Sequence, residues 1–505
     1  MPILRKLCQC LGLASLLLLP RYAGLLGGGS DGRLHSPHAL ASVCWTHSAE
    51  ILLIGAFLFA LIAPLQRTFI YPMVRLALII GIPPCILLRT RSLFPFTFPH
   101  RLLPALALVW GLAILWLYLR RPVWYSRAVM LGGELGMAFA LFALVSIGQI
   151  LWVLRWKPLP QQYSAAWSTA PQPPRVHPLL VWLILDELSY DQTFEHRQPG
   201  LALPNFDTLR TQSILFTDVQ PAGYATTNVI PSLLSGKIID DVKFDMKSRL
   251  HVHHSGTRGW QPLSGRDTVF SDAKQNGWRT AVVGWFNPYC SVYRDAVDDC
   301  YWANQDELEG PAIIDDSVRQ NLTISLGQIA LRALPGQKNV AFVCNSQVQQ
   351  HYLSHMELEP RMLRLLHTDQ ADFVFLHLGV PHSPSIWNRY TGEYTQVCGG
   401  SYQDSLALAD REVGLILATL QSSPRWHDTT LIVEGDHSWR IPLWLMAPSW
   451  THEDDLASHG VFDTRPALLI HQAGQTQPQT NTTPWPLLRV HDIVEEVLHG
   501  QEICP

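Results

Sequence analysis

Carboxylate and imidazole side chains stand at the ends of apolar segments in the second half of this 505-residue chain. The residues of this set are Asp186, Glu187, His377, His382, Asp436, His437 and His459. Mixed carboxylate and imidazole sites bind zinc or manganese, whereas calcium prefers oxygen ligands alone. A single Asp after a strand is usually a turn residue, but turns do not explain the whole set. The set therefore predicts a divalent metal site, with Zn²⁺ or Mn²⁺ favoured over Ca²⁺.

Two hydroxyl residues, Thr226 and Thr227, open a segment that continues Asn-Val-Ile-Pro-Ser-Leu-Leu-Ser and ends at Gly236. This segment predicts the start of a buried helix. A helix start offers unpaired backbone N–H groups and the positive end of the helix dipole, so anions bind there. A hydroxyl held at that place beside a metal can act as a nucleophile. Threonine is also a common helix cap, and it is the metal-ligand set that favours the catalytic interpretation.

Apolar runs of strand length alternate with helix-period segments from Val176 onwards. The predicted strands are Leu179–Leu185, Thr280–Trp285, Val340–Val343, Phe373–Leu378, Thr430–Val433 and Ala467–Ile470. Predicted helices between them include Tyr402–Leu420 and Val490–Leu498. This alternation is typical of an α/β domain whose mainly parallel sheet is covered by helices. Ligands bind beyond the carboxyl ends of the strands in such sheets, which is where most of the metal-ligand set stands.

The first half of the chain predicts an all-α transmembrane bundle, residues 1–155, with four or five spans. Residues 49–65, 70–88, 102–119 and 128–153 are apolar runs of about the length that crosses ~30 Å of hydrocarbon. The run Leu7–Pro20 fits either a signal sequence or, as we favour, an uncleaved fifth span. A proline-rich linker, residues 156–177, then leads to the α/β domain, residues 178–499.

Charge is distributed unevenly along the chain. Residues 1–157 carry fourteen Lys and Arg against three Asp and Glu, and the remainder carries twenty-three against thirty-eight. The acidic second half lacks the clustered cations that phosphate contacts require, so no nucleic-acid partner is expected. Cations between the apolar runs fall on both expected sides of the membrane, so charge alone does not orient the chain.

The order Leu-Asp-Glu, Thr…Pro-Ser-Leu-Leu-Ser-Gly, Pro-His-Ser-Pro and Gly-Asp-His resembles the alkaline phosphatase superfamily over about residues 178–499. The chain is most similar to its sulfatase-like branch, which includes membrane-anchored phosphoethanolamine and phosphoglycerol transferases. The resemblance implies metal ligands at Asp186, Glu187, Thr226, Asp436, His437 and His459, and substrate contacts at His377 and His382. It also implies that Thr226 is the catalytic nucleophile.

Two independent registers place that nucleophile at Thr226 and not at Thr227. The sulfatase nucleophile stands ten residues before the glycine that here is Gly236, and the transferase threonine stands five residues before the proline that here is Pro231. Sulfatases require Cys or Ser at this position for conversion to formylglycine, and threonine cannot be converted. The resemblance therefore favours transfer of a phospho-group over hydrolysis of a sulfate ester.

The implied enzyme moves a phosphoethanolamine or phosphoglycerol group from a lipid donor to an envelope glycan or lipid, through a covalent phospho-threonine. A hydrolase of the same fold, acting on phosphodiesters or sulfuric esters, is the alternative, and a non-catalytic membrane binding protein is the third hypothesis. The implied location is the bacterial inner membrane, with the bilayer as partner and the α/β domain in the periplasm. Cys290 and Cys300 bracket a polar loop that either a disulfide closes or two reduced thiols flank, and a disulfide would agree with that compartment.

Overall fold

The computed structural model describes residues 2–26, 40–90, 102–153, 162–164, 177–244, 250–303, 317–332, 338–368, 370–445 and 447–501. The chain forms two compact units. The first contains Met1–Arg33, His38–Pro158 and Leu308–Gly327, and the second contains Leu34–Pro37, Leu159–Glu307 and Gln328–Pro505. The predicted linker falls almost wholly outside the described residues, which include only 162–164 and 177 of its length.

Long apolar helices make up most of the first unit. They are α1 (Pro2–Leu26), α2 (Leu40–Leu65), α3 (Tyr71–Thr90), α4 (Leu102–Arg120) and α5 (Pro122–Val153). The four apolar runs expected from the sequence coincide with α2 to α5. Within the described residues, Cys44–Leu65 and Pro122–Trp152 are long and apolar enough to cross a membrane, and two shorter apolar helices are Tyr71–Pro84 and Pro104–Arg120.

Short strands and helices alternate through the second unit. Its strands are β1 (Gln162–Tyr163), β2 (Leu179–Leu185), β3 (Ile214–Phe216), β4 (Val219–Gln220), β5 (Ile239–Phe244), β6 (Leu250–His254), β7 (Gln261–Pro262), β8 (Thr280–Trp285), β9 (Asp299–Ala303), β10 (Phe373–Leu378), β11 (Trp387–Asn388), β12 (Glu393–Tyr394), β13 (Thr429–Glu434), β14 (Leu468–His471), β15 (Gln479–Asn481) and β16 (Trp485–Pro486). The remaining α-helices of the described residues are α6 (Pro204–Arg210), α7 (Thr226–Ser235), α8 (Val269–Gln275), α9 (Tyr289–Val292), α10 (Val318–Arg332), α11 (Lys338–Thr368), α12 (Tyr402–Gln421), α13 (Ile441–Trp444), α14 (His452–Ser458) and α15 (Val490–Leu498). The division between the two units falls within α10.

A nine-stranded sheet forms the centre of the second unit, in the order β1-β9-β8-β10-β2-β13-β14-β3-β15. Strands β9, β8, β10, β2 and β13 are parallel, whereas β14 pairs antiparallel with both β13 and β3. The expected α/β domain with a mainly parallel sheet is thus confirmed. The predicted strand Val340–Val343 is wrong, since these residues lie in α11. Four apolar residues alone do not distinguish a strand from part of a helix.

The side chains of β2 alternate between two cores, one on each face of the sheet. Val181, Leu183 and Leu185 pack in a core that α6, α11 and α12 complete. Leu180, Trp182 and Ile184 pack in a second core with residues of α7, α8 and α15. Burial on both faces explains why this strand is a continuous apolar run. The parallel register also brings the carboxyl ends of β8, β10, β2 and β13 to one edge of the sheet.

Candidate active site

Thr226 is the first residue of α7, and its side chain is almost fully buried. The residue before it, Ala225, has an extended backbone and provides no side-chain cap for the helix. The Thr226 hydroxyl donates a hydrogen bond to Asp186 Oδ2 at 3.0 Å, and Thr226 Oγ1 lies 3.2 Å from His437 Nε2. A hydroxyl therefore meets a carboxylate and an imidazole at the positive end of a helix.

Asp186, Asp436 and His437 each bring one ligand atom to within 4.8 Å of the other two. Asp186 follows β2, and Asp436 and His437 follow the adjacent parallel strand β13, so strand pairing places them side by side. His437 Nε2 lies 3.1 Å from Asp436 Oδ2. His437 Nδ1 donates to the Ser438 carbonyl at 3.2 Å, which leaves the Nε2 lone pair facing the carboxylates.

Gly435 allows this approach of the two strand ends. A Cβ atom at Gly435 would stand 2.5 Å from the Leu188 carbonyl oxygen, which is closer than a Cβ atom comes to a non-bonded heavy atom in real proteins. The backbone amides of Glu187 and His437 donate to Asp436 Oδ1 at 3.1 and 2.9 Å. The turn after β2 and the turn after β13 thus fix the orientation of the Asp436 carboxylate together.

The donor set fits a divalent cation. Asp186 Oδ1 and Asp436 Oδ2 are fully buried and accept no hydrogen bond within the described residues, although a buried carboxylate oxygen is costly when it is left uncompensated. Burial, with Asp186 next to it, raises the pKa of Asp436. Burial opposes ionisation of Asp186 too, but His382, His377 and His437 outweigh it and lower the pKa of Asp186. Two carboxylates, an imidazole nitrogen and the Thr226 hydroxyl would hold the ion.

His377, the fifth residue of β10, faces the same cluster. Its Nε2 lies 3.6 Å from Asp186 Oδ2 and has no hydrogen-bond partner within the described residues. Its Nδ1 lies 2.7 Å from the hydroxyl of Tyr289, the first residue of α9. Burial raises the pKa of Tyr289 well above the usual value for a tyrosine, so this hydroxyl stays protonated at neutral pH. The pair orients the His377 ring towards the metal ligands.

His382 is buried in the loop that follows β10. Its ring centroid lies 5.1 Å from that of Trp285 and 5.0 Å from that of Trp444, which stands perpendicular to it. The ring of His351, on α11, is 6.3 Å away and also perpendicular to it. Both histidines expected to contact a substrate, His377 and His382, therefore lie at the same edge of the sheet as the metal ligands, where the parallel strands end.

Two of the expected metal ligands do not join the cluster. The Glu187 carboxylate is fully buried, but it accepts hydrogen bonds from Arg440 Nε at 2.5 Å and from Trp444 Nε1 at 2.9 Å. Its left-handed backbone, with φ of 67°, directs the amide to Asp436 while the side chain lies elsewhere. His459 ends α14 in a left-handed conformation, with φ of 47°, and its side chain is exposed.

Four aromatic and cationic residues around the site were not anticipated from the sequence. They are Trp285, Tyr289, Arg440 and Trp444. Trp285 ends a predicted strand, and this position at the carboxyl edge of the sheet was a usable signal. Tyr289 and Trp444 lie in helices of four residues and Arg440 directly precedes one, and such short helices leave no periodicity in a single sequence.

Two disulfides link the described cysteines of the second unit. Cys290 pairs with Cys300, the pair that brackets the polar loop, and so joins α9 to β9. Cys344 pairs with Cys398, which joins α11 to the loop before α12. The second pairing was not foreseen, because the two cysteines are 54 residues apart in the sequence and share no local pattern.

The Sulfatase family model matches residues 178–498, so the chain belongs to the Sulfatase family. This confirms the resemblance to the sulfatase-like branch of the alkaline phosphatase superfamily. Comparison with curated proteins found no match. The family indicates an enzyme of the hydrolase or transferase kind, and enzymes of this fold typically use a divalent metal.

Several solved structures are similar to the chain at low identity. The PsFucS1 sulfatase from Pseudoalteromonas sp. is 13% identical over 64% of this chain and 68% of that one, with a TM-score of 0.43. The phosphonate monoester hydrolase of Agrobacterium radiobacter is 13% identical over 64% and 74%, with a TM-score of 0.38. The lipoteichoic acid synthase LtaP from Listeria monocytogenes is 13% identical over 64% and 72%, with a TM-score of 0.37.

Proposed function

We propose that this chain is a membrane-anchored, metal-dependent transferase that moves a phospho-group through a covalent bond to Thr226. The observation that carries the proposal is the placement of the Thr226 hydroxyl, at the start of α7, within hydrogen-bonding distance of Asp186 and His437. The donor is a membrane lipid that provides a phosphoethanolamine or phosphoglycerol group. The acceptor is a hydroxyl of an envelope glycan or lipid.

The first half-reaction forms a phospho-threonine. A divalent cation, Zn²⁺ or Mn²⁺, would lower the pKa of the hydroxyl and neutralise the phosphoryl oxygens. The Thr226 Oγ1–P bond forms, the bond from phosphorus to the diacylglycerol oxygen breaks, and the proton lost by Thr226 is returned to that oxygen. Asp186 orients the nucleophile by accepting its hydrogen bond. The helix N-terminus stabilises the negative charge of the phosphoryl group.

The second half-reaction regenerates Thr226. An acceptor hydroxyl attacks the phosphorus, the acceptor O–P bond forms, and the bond from phosphorus to Thr226 Oγ1 breaks. The acceptor proton returns to Thr226. His377 lies beside Asp186, and His382 is near enough to lower the pKa of Asp186, so both would contact the phosphoryl group and the incoming hydroxyl.

The location proposed for this enzyme is the bacterial inner membrane, with the second unit in the periplasm. The two long apolar helices support anchoring in a bilayer, and we infer that α1, α3 and α4 complete a five-span bundle with them. The two disulfides support an oxidising compartment for the second unit, because such bonds are rare in a reducing cytosol. Anchoring keeps the nucleophile close to a lipid donor.

A hydrolase with the same site is the second candidate. The match to the Sulfatase family favours it, since water in place of the acceptor would release the phospho-group from Thr226. A threonine nucleophile argues against sulfate esters, because this side chain cannot become formylglycine.

The test is the intact mass of the full-length protein after incubation with native membrane phospholipids, followed by tryptic mapping. We expect a phosphoethanolamine or phosphoglycerol adduct on Thr226, which also identifies the donor, and no adduct in the Thr226→Ala variant. An unmodified Thr226 in protein that holds its metal would favour the hydrolase. An unmodified Thr226 in protein that binds no metal would favour a non-catalytic binding protein.

A further inference from the structure

We propose that Glu187 is a positioning residue that holds His382 in place through Trp444, and is not a metal ligand. This inference rests on the proposed function, because it assigns His382 to the binding of the phosphoryl group. Glu187 follows the metal ligand Asp186 directly in the sequence, yet its carboxylate lies outside the cluster.

The Glu187 carboxylate is fully buried, and it holds the segment Arg440–Trp444, which follows His437 in the sequence. Its Oε1 accepts from Arg440 Nε at 2.5 Å, and both of its oxygens lie 2.9 Å from Trp444 Nε1. A carboxylate that is already neutralised by a guanidinium and an indole N–H has little capacity left for a cation. Its partners thus explain both its burial and its absence from the metal cluster.

The segment that Glu187 holds packs only partly against the rest of the second unit. Helix α13, from Ile441 to Trp444, contains no buried residue, and Ile441 and Trp444 are half-buried against the core. Leu443 and Leu445 on either side of Trp444 are 56% and 50% exposed. The hydrogen bonds to Glu187 are therefore a main restraint on the place of the Trp444 ring.

Trp444 in turn forms one wall of the space around His382. Its ring stands perpendicular to the imidazole at 5.0 Å, and Trp285 lies against the imidazole at 5.1 Å. Trp285 is buried at the end of β8 and is fixed by the sheet. Within the described residues, Glu187 is the acceptor for the Trp444 indole N–H, so loss of the Glu187 carboxylate would loosen the wall on one side of His382.

The experiment compares Glu187→Gln, Trp444→Phe and the double variant in the full-length protein. Zinc content is measured by elemental analysis, and the dissociation constant for inorganic phosphate is measured by calorimetry on the zinc-loaded protein. We expect each single variant to keep its zinc and to bind phosphate about five- to tenfold more weakly. The double variant should be no weaker than the weaker single variant, because both changes remove the same interaction.

Two matched controls separate this role from a general loss of packing. Glu359→Gln alters another carboxylate, held by Arg411 and Tyr394, and Trp260→Phe alters a tryptophan that stacks with Lys243. Both should bind phosphate within twofold of the wild type. Asp436→Asn should lose zinc, which provides the reference for a true ligand.

Several results would overturn the inference. They are loss of zinc in Glu187→Gln to the extent seen for Asp436→Asn, unchanged phosphate binding in the single variants, multiplicative effects in the double variant, or no phosphate binding by the wild type. None of these measurements requires turnover. A chain without transferase activity that shows the expected zinc and phosphate pattern would refute the proposed function and leave the positioning role standing.

Discussion

Thr226 and Thr227 are adjacent in the sequence but have different surroundings. Thr226 Oγ1 lies between Asp186 and His437, whereas Thr227 Oγ1 donates to its neighbour Asn228 at 3.3 Å. We expect Thr226→Ala to lower turnover by at least about a thousandfold, because it removes the nucleophile. Thr226→Ser should retain part of the activity, since it keeps a hydroxyl.

Thr227→Ala is the control for that prediction. It should stay within about threefold of the wild type when turnover of a labelled phospholipid is measured by thin-layer chromatography. A Thr227→Ala variant as inactive as Thr226→Ala would move the nucleophile by one residue, or show that the helix start as a whole had been disturbed.

His351 predicts a pH dependence of stability. Its Nδ1 lies 2.8 Å from the Pro384 carbonyl, and burial, with His382 nearby, lowers the pKa of His351 to about 4. Because the folded-state pKa lies below the unfolded value of about 6.5, the stabilising contribution is complete above pH 6.5 and declines as the pH falls towards 4. We expect a loss of about 2 kcal/mol at pH 5.

His351→Gln tests this expectation, because it keeps a donor for the Pro384 carbonyl and does not titrate. The melting temperature, followed by circular dichroism from pH 7.5 to pH 4.5, should fall more steeply in the wild type than in the variant. Parallel curves would assign the acid sensitivity to other groups.

At the scale of the elements, the turn after β13 contains the described glycine at which a Cβ would come closest to a backbone atom. Gly435→Ala would place a Cβ 2.5 Å from the Leu188 carbonyl oxygen, and a backbone neighbour cannot move aside as a flexible side chain can. Asp436 and His437 would shift relative to Asp186. We expect zinc affinity to fall at least about tenfold, measured by competition with a chromogenic chelator.

Gly500→Ala is the matched change for that prediction. Gly500, unlike Gly435, has a positive φ, and a Cβ there meets no atom within 4 Å. The Gly500→Ala change should cost about 1–2 kcal/mol of stability, because a Cβ strains a left-handed residue, and it should leave zinc affinity unchanged. Equal zinc loss in both variants would show that the contact with Leu188 is not what matters.

The helices and strands could be predicted where burial imposes a pattern of apolar residues on the sequence. The predicted strands Leu179–Leu185, Thr280–Trp285 and Phe373–Leu378 have the observed bounds, as does the helix Val490–Leu498. A central parallel strand is buried on both faces, so its composition alone marks it. Strand β14 was predicted to within one residue at each end, whereas β9 was not predicted, because Asp-Cys-Tyr-Trp-Ala is not a continuous aliphatic run and the strand is defined by its pairing with β1 and β8.

The site was predictable only in part, for a related reason. The grouping of Asp186, Thr226, Asp436 and His437 follows from strand ends and the register of α7. The direction of the Glu187 side chain depends on Arg440 and Trp444, more than 250 residues away in the sequence. A linear pattern carries no information about such partners.

For the whole molecule, the proposed topology places the carboxyl terminus outside the cytoplasm. An alkaline phosphatase reporter fused after Pro505 should be active in a bacterial host, and a green fluorescent protein fused there should be dark. The fusions should sediment with membranes and resist extraction by alkaline carbonate, because in the proposed topology apolar helices such as Pro122–Trp152 span the bilayer. Reversed reporter signals would contradict a periplasmic site.

The central strand β2 has a consequence for synthesis of the protein. It is an early strand of the sheet to leave the ribosome, yet both of its hydrogen-bonded neighbours, β10 and β13, follow it by roughly 190 residues or more. At a translation rate of about 5–20 residues per second, this apolar strand waits at least about ten seconds for a partner. A nascent chain with two open strand edges is prone to aggregate. Chaperones that bind exposed apolar segments should therefore raise the yield of this protein more than they raise the yield of a helical bundle of equal length.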